Sequence, residues 1–337
     1  MQSKFFLILM LVTLLNEIAL TQEISNSQVT EPKASQDEEV KPLNTITGVF
    51  DTIISEGYRP KMGQLQYNFS IINQNGVQNV FANDVEFYKV STSATLGSAD
   101  FEYGLSDKYS FGLNYSSYLS YSDETTFSAA AKSLGLKDDS DTTTGMTEPS
   151  IDLMGTIVDQ SDLRAIATLS FSPKIGDSKP DNRLSGGSSS DIELKIVKRI
   201  NLVELLLAGS YEIENEQTTK YKSGNKSFNT GGNEFNISIG GNLFFTPSSS
   251  LYLNLNTKQT SSINTKYSDS SEKIFQGAYS TNESILGLKV SLDSSLSFFL
   301  GYSSTMLSKI SGTIGSSKIN IPSSTFSGFG FGLFGSF

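Results

Sequence analysis

Thr325-Phe-Ser-Gly-Phe-Gly-Phe-Gly-Leu-Phe-Gly-Ser-Phe337 decides how the rest of this chain is read. Side chains alternate across a strand with period two, so Phe329, Phe331, Leu333 and Phe337 share one face. Ser336, Gly332, Gly330 and Gly328 take the other face, with Phe334 as the exception. An apolar face backed by small residues suits a sheet with hydrocarbon outside and something polar inside. That is the arrangement of a transmembrane β-barrel.

The same alternation runs through the chain upstream. Leu65, Tyr67, Phe69 and Ile71 interleave with Gln64, Gln66, Asn68 and Ser70. Further alternating runs occupy 95–104, 109–116, 151–158, 163–171, 191–198, 202–213, 235–245, 251–258, 284–292 and 296–302. Tight turns (105–108, 159–162, 199–201, 246–249, 293–294) join them in pairs; all but 199–201 carry Asp or Ser, whose side chains bond their own backbone locally. The other connections are long and polar: 73–93, 123–148, 174–189, 214–233, 259–282 and 304–324. One opening strand, five hairpins and one closing strand predict a closed antiparallel barrel of about twelve strands. Both termini then fall on the short-turn side, which in such barrels is periplasmic, and the long loops are extracellular.

Charge placement supports this division of faces. The outward faces carry no Asp, Glu, Lys or Arg at their core positions, where Lys or Arg would cost about 2–4 kcal/mol at mid-bilayer. The ionisable groups fall on the opposite face and are expected to line the lumen. They are Asp100, Glu102, Asp152, Arg164, Asp191, Glu193, Lys195, Glu204, Glu212, Lys258 and Lys289. Leu206, Ile166, Phe244, Phe299 and Phe334 share that inward face, predicting a constriction or a greasy path.

Residues 1–21 read as an export signal: Lys4, an apolar run over 5–15, then small residues Ala19 and Thr21 before the expected cleavage. Residues 22–60 read as a periplasmic N-terminal extension, and 61–337 as the barrel. Within the extension, 46–54 offers a second reading, as a short amphipathic segment at the barrel mouth or partly plugging it. No run of about twenty apolar residues follows the signal, so helical spans are not expected. Localisation is therefore predicted to be the outer membrane of a Gram-negative bacterium.

The hairpin Phe101-Glu-Tyr-Gly-Leu-Ser-Asp-Lys-Tyr-Ser-Phe-Gly-Leu113 resembles one common in outer-membrane transporter-like barrels. There a strand ends in Tyr-Gly-Leu, turns through a Thr/Ser-Asp pair and a basic residue, and resumes its alternation. It looks most like the barrel group linked to the meta-cleavage pathway of phenol degradation. That resemblance implies passive uptake of small or hydrophobic compounds. Phe329, Phe331, Leu333 and Phe337 also resemble the insertion signal read by the barrel assembly machinery. Gly335 departs from it, since an apolar side chain is usual there.

Composition excludes several chemistries. The chain has no Cys, hence no disulfides and no thiolate sites, and no His. Without His there is no Ser-His dyad and no imidazole metal ligand. Lys137-Asp-Asp-Ser-Asp141 lacks the spaced Gly and terminal Glu of a calcium loop. Paired carboxylates such as Asp100 with Glu102 or Asp191 with Glu193 suit acid–base work on glycosides, yet a wetted lumen needs the same residues. A net charge of −10 and the absence of basic clusters argue against nucleic-acid binding. No catalytic, cofactor or metal site is expected. The expected partners are outer-membrane lipid, the assembly machinery and small-molecule solutes. The functional expectation is a passive, porin-like channel with weak cation preference, the cargo small solutes, including hydrophobic or aromatic compounds. The alternative is a closed structural or adhesive barrel that binds partners through its extracellular loops.

Overall fold

Alternating residues become strands wherever the sequence shows them, and further. The computed structural model describes residues 53–179, 184–221, 224–268 and 273–337. The export signal and residues 22–52 of the extension lie outside these. Twelve strands form the wall, each antiparallel to the next. They are β1 (Leu65–Ala82), β2 (Val85–Gly104), β3 (Tyr109–Phe127), β4 (Ser150–Asp159), β5 (Leu163–Ser172) and β6 (Ser189–Ile200). The series continues with β7 (Val203–Glu214), β8 (Glu234–Thr246), β9 (Ser249–Thr260), β10 (Tyr279–Ser291), β11 (Leu296–Leu307) and β12 (Ser324–Ser336).

The last strand returns to the first. β12 pairs with β1 in continuous register from Gln66↔Ser336 to Gly76↔Phe326. Leu65 and Phe337 exchange two backbone hydrogen bonds of 2.8 and 2.9 Å at the end of this seam. Closure matters because each unpaired backbone group in hydrocarbon costs several kcal/mol. Aromatic rings reinforce the seam from outside, running Phe337 to Tyr67 (5.8 Å), Tyr67 to Phe69 (5.6 Å) and Phe69 to Phe101 (5.7 Å). Gly335 pairs with Tyr67, and a Cβ there would sit 2.1 Å from its ring. Glycine at 335 thus makes room for the Tyr67 ring.

Outward side chains such as Phe111, Leu153, Leu169, Leu205, Leu253, Leu286, Leu300 and Phe331 are exposed, as an apolar belt requires. The expected short turns connect β2–β3, β4–β5, β6–β7, β8–β9 and β10–β11. In the last of these, Asp293 Oδ1 accepts from the backbone N–H groups of Ser295 (2.7 Å) and Leu296 (2.9 Å).

The long connections differ from expectation. Residues 73–93 are not a loop: β1 and β2 continue to a two-residue turn at Asn83 and Asp84, with φ of 48° and 66°. Positive φ at both positions matches the right-handed twist of a tight hairpin. β2 is 20 residues long, about twice what a tilted strand needs to cross a bilayer. Its excess rises clear of the hydrocarbon, where the outward face no longer needs apolar residues. Other connections hold short strands as well: Asp139–Met146, Gln217–Lys220, Lys226–Gly231, Ile263–Tyr267, Lys273–Gln276, Ile310–Ile314 and Ser317–Ile321. These pair side by side and onto β1 and β3, extending the wall as a polar collar. Among the described residues no helix is long and apolar enough to cross a membrane.

Candidate functional site

Inward side chains from the short-turn halves of the strands converge on residues 53–61, which precede the first wall strand. Ile53 and Ile54 are buried, at 5 % and 1 % exposure. Ser55 Oγ donates to Glu204 Oε2 of β7 (2.5 Å), and the Glu56 N–H donates to Glu204 Oε1 (2.8 Å). Asn242 of β8 donates to the same carboxylate at 2.8 Å, and Arg199 of β6 stands 3.9 Å away. Glu204 is fully buried, so these donors supply what water would otherwise provide. The Asn242 amide also reaches the Ile54 carbonyl (3.4 Å).

Ion pairs fasten the rest of the segment. Glu56 pairs with Lys289 of β10, whose ammonium lies 4.1 Å from the centre of the Tyr252 ring. Burial pushes the Glu56 carboxyl up, but Lys289 and Lys195 together pull it down further, leaving it below the ordinary carboxylate value. Arg59 pairs with Glu102 of β2 at 2.7 Å and donates to Ser110 of β3. Arg164 of β5 holds Asp159 (2.7 Å) and donates to the Gly57 carbonyl (2.6 Å). Gly104 closes the arrangement: a Cβ there would lie 2.1 Å from the Lys61 carbonyl, so only glycine lets the chain pass.

Above this plug the bore opens towards the collar. A cavity of about 570 Å³ is lined by polar side chains only. Asp191, Glu212, Glu234 and Glu283 supply carboxylates, and Lys258 the single ammonium among the lining residues, 2.7 Å from Glu234. Buried Oδ1 atoms of Asp191, Asn236 and Asn256 have no hydrogen-bond partner among the described residues.

The expected lumen residues therefore divide by height. Asp191, Glu212 and Lys258 line the cavity. Glu102, Arg164, Glu204 and Lys289 grip the plug directly, and Lys195 acts on Glu56 through its charge. Asp100 accepts from Asn68 (2.9 Å), and Asp152 from Asn114. Glu193 sits on β6 between Thr168 and Ser210 of the neighbouring strands. Of the apolar inward residues, Ile166, Leu206 and Phe244 are buried, and the Arg199 guanidinium lies 3.6 Å over the Phe244 ring. Phe299 covers Gly287 and Gly301, where a Cβ would meet its ring at 2.3 and 2.4 Å. Phe334 is half-buried, its ring beside Gly332.

Sequence reasoning missed Glu56, Arg59, Arg199, Glu234 and Glu283. The first two precede any alternation, and Arg199 looked like a turn residue. Glu234 and Glu283 lay one residue short of the runs read as strands, so no face was assigned to them. Among the described residues no three acidic side chains come close enough to hold a metal ion.

The wall and bore have counterparts among solved structures. An outer membrane channel from Pseudomonas putida F1 matches with a TM-score of 0.54 and 10 % identity, over 84 % of this chain and 98 % of that one. The fold is that of an outer-membrane β-barrel. The TodX monoaromatic hydrocarbon channel in a deltaS2 mutant form matches at 0.41 and 8 % identity, over 83 % and 92 % of the two chains. The outer membrane protease OmpT of Escherichia coli matches at 0.36 and 8 %, over 84 % and 99 %. At 10 % identity the likeness to the Pseudomonas putida channel concerns architecture alone, and activity has to be argued from the bore. No family model matches the sequence, and no curated protein matches it.

Proposed function

We propose that this outer-membrane barrel is a passive channel for small polar solutes, with a preference for cations. The wholly polar lining of the cavity carries the reading: four carboxylates face one ammonium, already paired with Glu234. Bore charges of one sign raise the local concentration of the opposite ion. The unpartnered Oδ1 atoms of Asp191, Asn236 and Asn256 accept hydrogen bonds from water or from a solute's N–H groups. The lining favours polar over hydrophobic or aromatic cargo, since the buried apolar residues Ile166, Leu206 and Phe244 lie at the plug's level, outside the cavity lining. The channel of similar fold from Pseudomonas putida F1 is consistent with transport. With no His, an enzymatic role has little chemistry to draw on.

By the usual orientation of such barrels the collar faces outward and the plug faces the periplasm. The reading is tested by reversal potentials across planar bilayers under a salt gradient. The native protein is expected to pass cations preferentially. Asp191→Asn, Glu212→Gln, Glu234→Gln and Glu283→Gln combined are expected to abolish that preference. Anion preference in the native protein, or selectivity unchanged by the four substitutions, defeats it. The second reading, a structural barrel with a closed lumen, draws on the plug itself, and a folded protein that never passes solute would favour it.

A further inference from the structure

Residues 53–61 make contacts with β2, β3, β5, β7, β8 and β10, half of the strands in the ring. A chain that reaches walls on opposite sides has to cross the bore. None of the twelve wall ladders uses these residues, and the β1–β12 seam closes from Leu65 onward. The segment is therefore an occupant of the cylinder and contributes nothing to its closure.

We propose that residues 53–61 are an intramolecular gate, which blocks the bore at the short-turn end and has to leave before solute passes. This rests on the channel reading above. The attachments are of a kind that water can replace. Ser55, the Glu56 N–H and Asn242 converge on Glu204, Glu56 meets Lys289, Arg59 meets Glu102, and Arg164 meets the Gly57 carbonyl. No covalent bond ties the segment to the wall, since the chain has no Cys. A pivot lies next to it: Gly63 has φ of 80°, in the left-handed region that favours glycine, and the exposed Met62 precedes it. Beyond the pivot, the Gly63 N–H donates to the Gly104 carbonyl at 2.9 Å and anchors the chain to β2. Charge placement gives the gate its specificity. Glu56, the acid of the segment, faces Lys289 and Lys195, and Arg59 faces Glu102. The two are not interchangeable.

Charge reversal tests this in the full-length protein. Glu56→Lys with Arg59→Glu sets like charges against each other at both anchors and is expected to raise single-channel open probability at least tenfold. Adding Lys289→Glu and Glu102→Arg restores both pairings and is expected to restore closure. Heat-modifiable migration on gels confirms folding of each variant. Protease cleavage within 53–61, absent in the native protein, reports release. Should the quadruple variant fail to fold, a second variant on the native charge pattern answers the question. Gly57→Cys with Arg164→Cys, bridged by a short reducible dithiol reagent, is expected to stay shut until reductant is added. Equal open probability in the native protein and the reversed pair, or in the bridged and reduced forms, overturns the gate and leaves the channel reading standing. A folded variant with its segment released that still passes no solute overturns both.

Discussion

At the short-turn end of the barrel, charge is matched with charge: Lys289 with Glu56, Arg59 with Glu102, and Glu204 with three donors. At the collar end, carboxylates outnumber their partners and buried acceptors have none among the described residues. Both sets of residues point inward from the same strands, often six or eight positions apart, as Glu204 and Glu212 or Lys289 and Glu283. The difference teaches that inward polarity in a barrel serves two purposes. Near the turns it works as a protein interior, where a buried charge has to be paired. Near the collar it works as a wetted surface, where solvent completes the shell.

The contrast predicts unequal costs for equivalent substitutions. Lys289→Met strands the Glu56 carboxylate in a dry site, and its docking is expected to weaken by about 3 kcal/mol. Lys258→Met removes the partner of Glu234 beside the wet cavity and is expected to cost below about 1 kcal/mol. Urea titrations followed by protease protection of residues 53–61, and by unfolding of the whole barrel, measure the two. Equal losses would break the comparison.

Acid is expected to give the next largest effect. The Glu56 pKa is depressed in the docked state, so its contribution is fully present above the unfolded value and lost as pH falls through the lower docked value. Protection of the segment is thus expected to hold at neutral pH and to fail below about pH 4.5, the ordinary carboxylate value. Asp138 in the collar is also held low, by hydrogen bonds from Lys132 and the Phe127 N–H. It is exposed, and its protonation is expected to loosen only its own hairpin. Protease mapping across a pH series separates the two.

A steric pair sharpens the comparison further. Gly104→Val drives a side chain into the Lys61 carbonyl and is expected to cost about 1–3 kcal/mol in plug docking. Gly97→Ala on the same strand would meet only Leu119 at 3.4 Å and is expected to stay within about 0.5 kcal/mol. Most local of all, Asn83→Val puts a β-branched residue at φ of 48° in the collar turn. It is expected to cost about 1 kcal/mol, seen as faster hydrogen exchange at that tip alone.

How much of this was legible in the chain depends on where the solvent lies. Between the turns, hydrocarbon outside and water inside impose strict alternation, so Phe69, Leu113 and Phe331 declare their face and the strand count follows. Past Asn73 water lies on both sides of the wall. Asn73, Asn75 and Asn79 point outward without penalty, and a strand there resembles a loop. The collar was invisible for that reason, and the starts of the runs beside it, with Glu234 and Glu283, were set a residue too late. The plug was hidden for another. The reading of 46–54 as a segment at the mouth touches the plug only at Ile53 and Ile54; the rest, Ser55 to Lys61, has no period, and its partners lie up to 233 residues away.

The crossing of the bore by residues 53–61 also has a mechanical meaning. A hoop of twelve strands resists stretching along its hydrogen bonds but flattens easily into an ellipse. A member fixed to opposing sides by Arg59, Gly57 and Glu56 acts as a spoke that keeps the section round. Its departure would therefore soften the whole tube as well as clear the passage, and the shape of the cavity above would begin to follow the lateral pressure of the surrounding lipid.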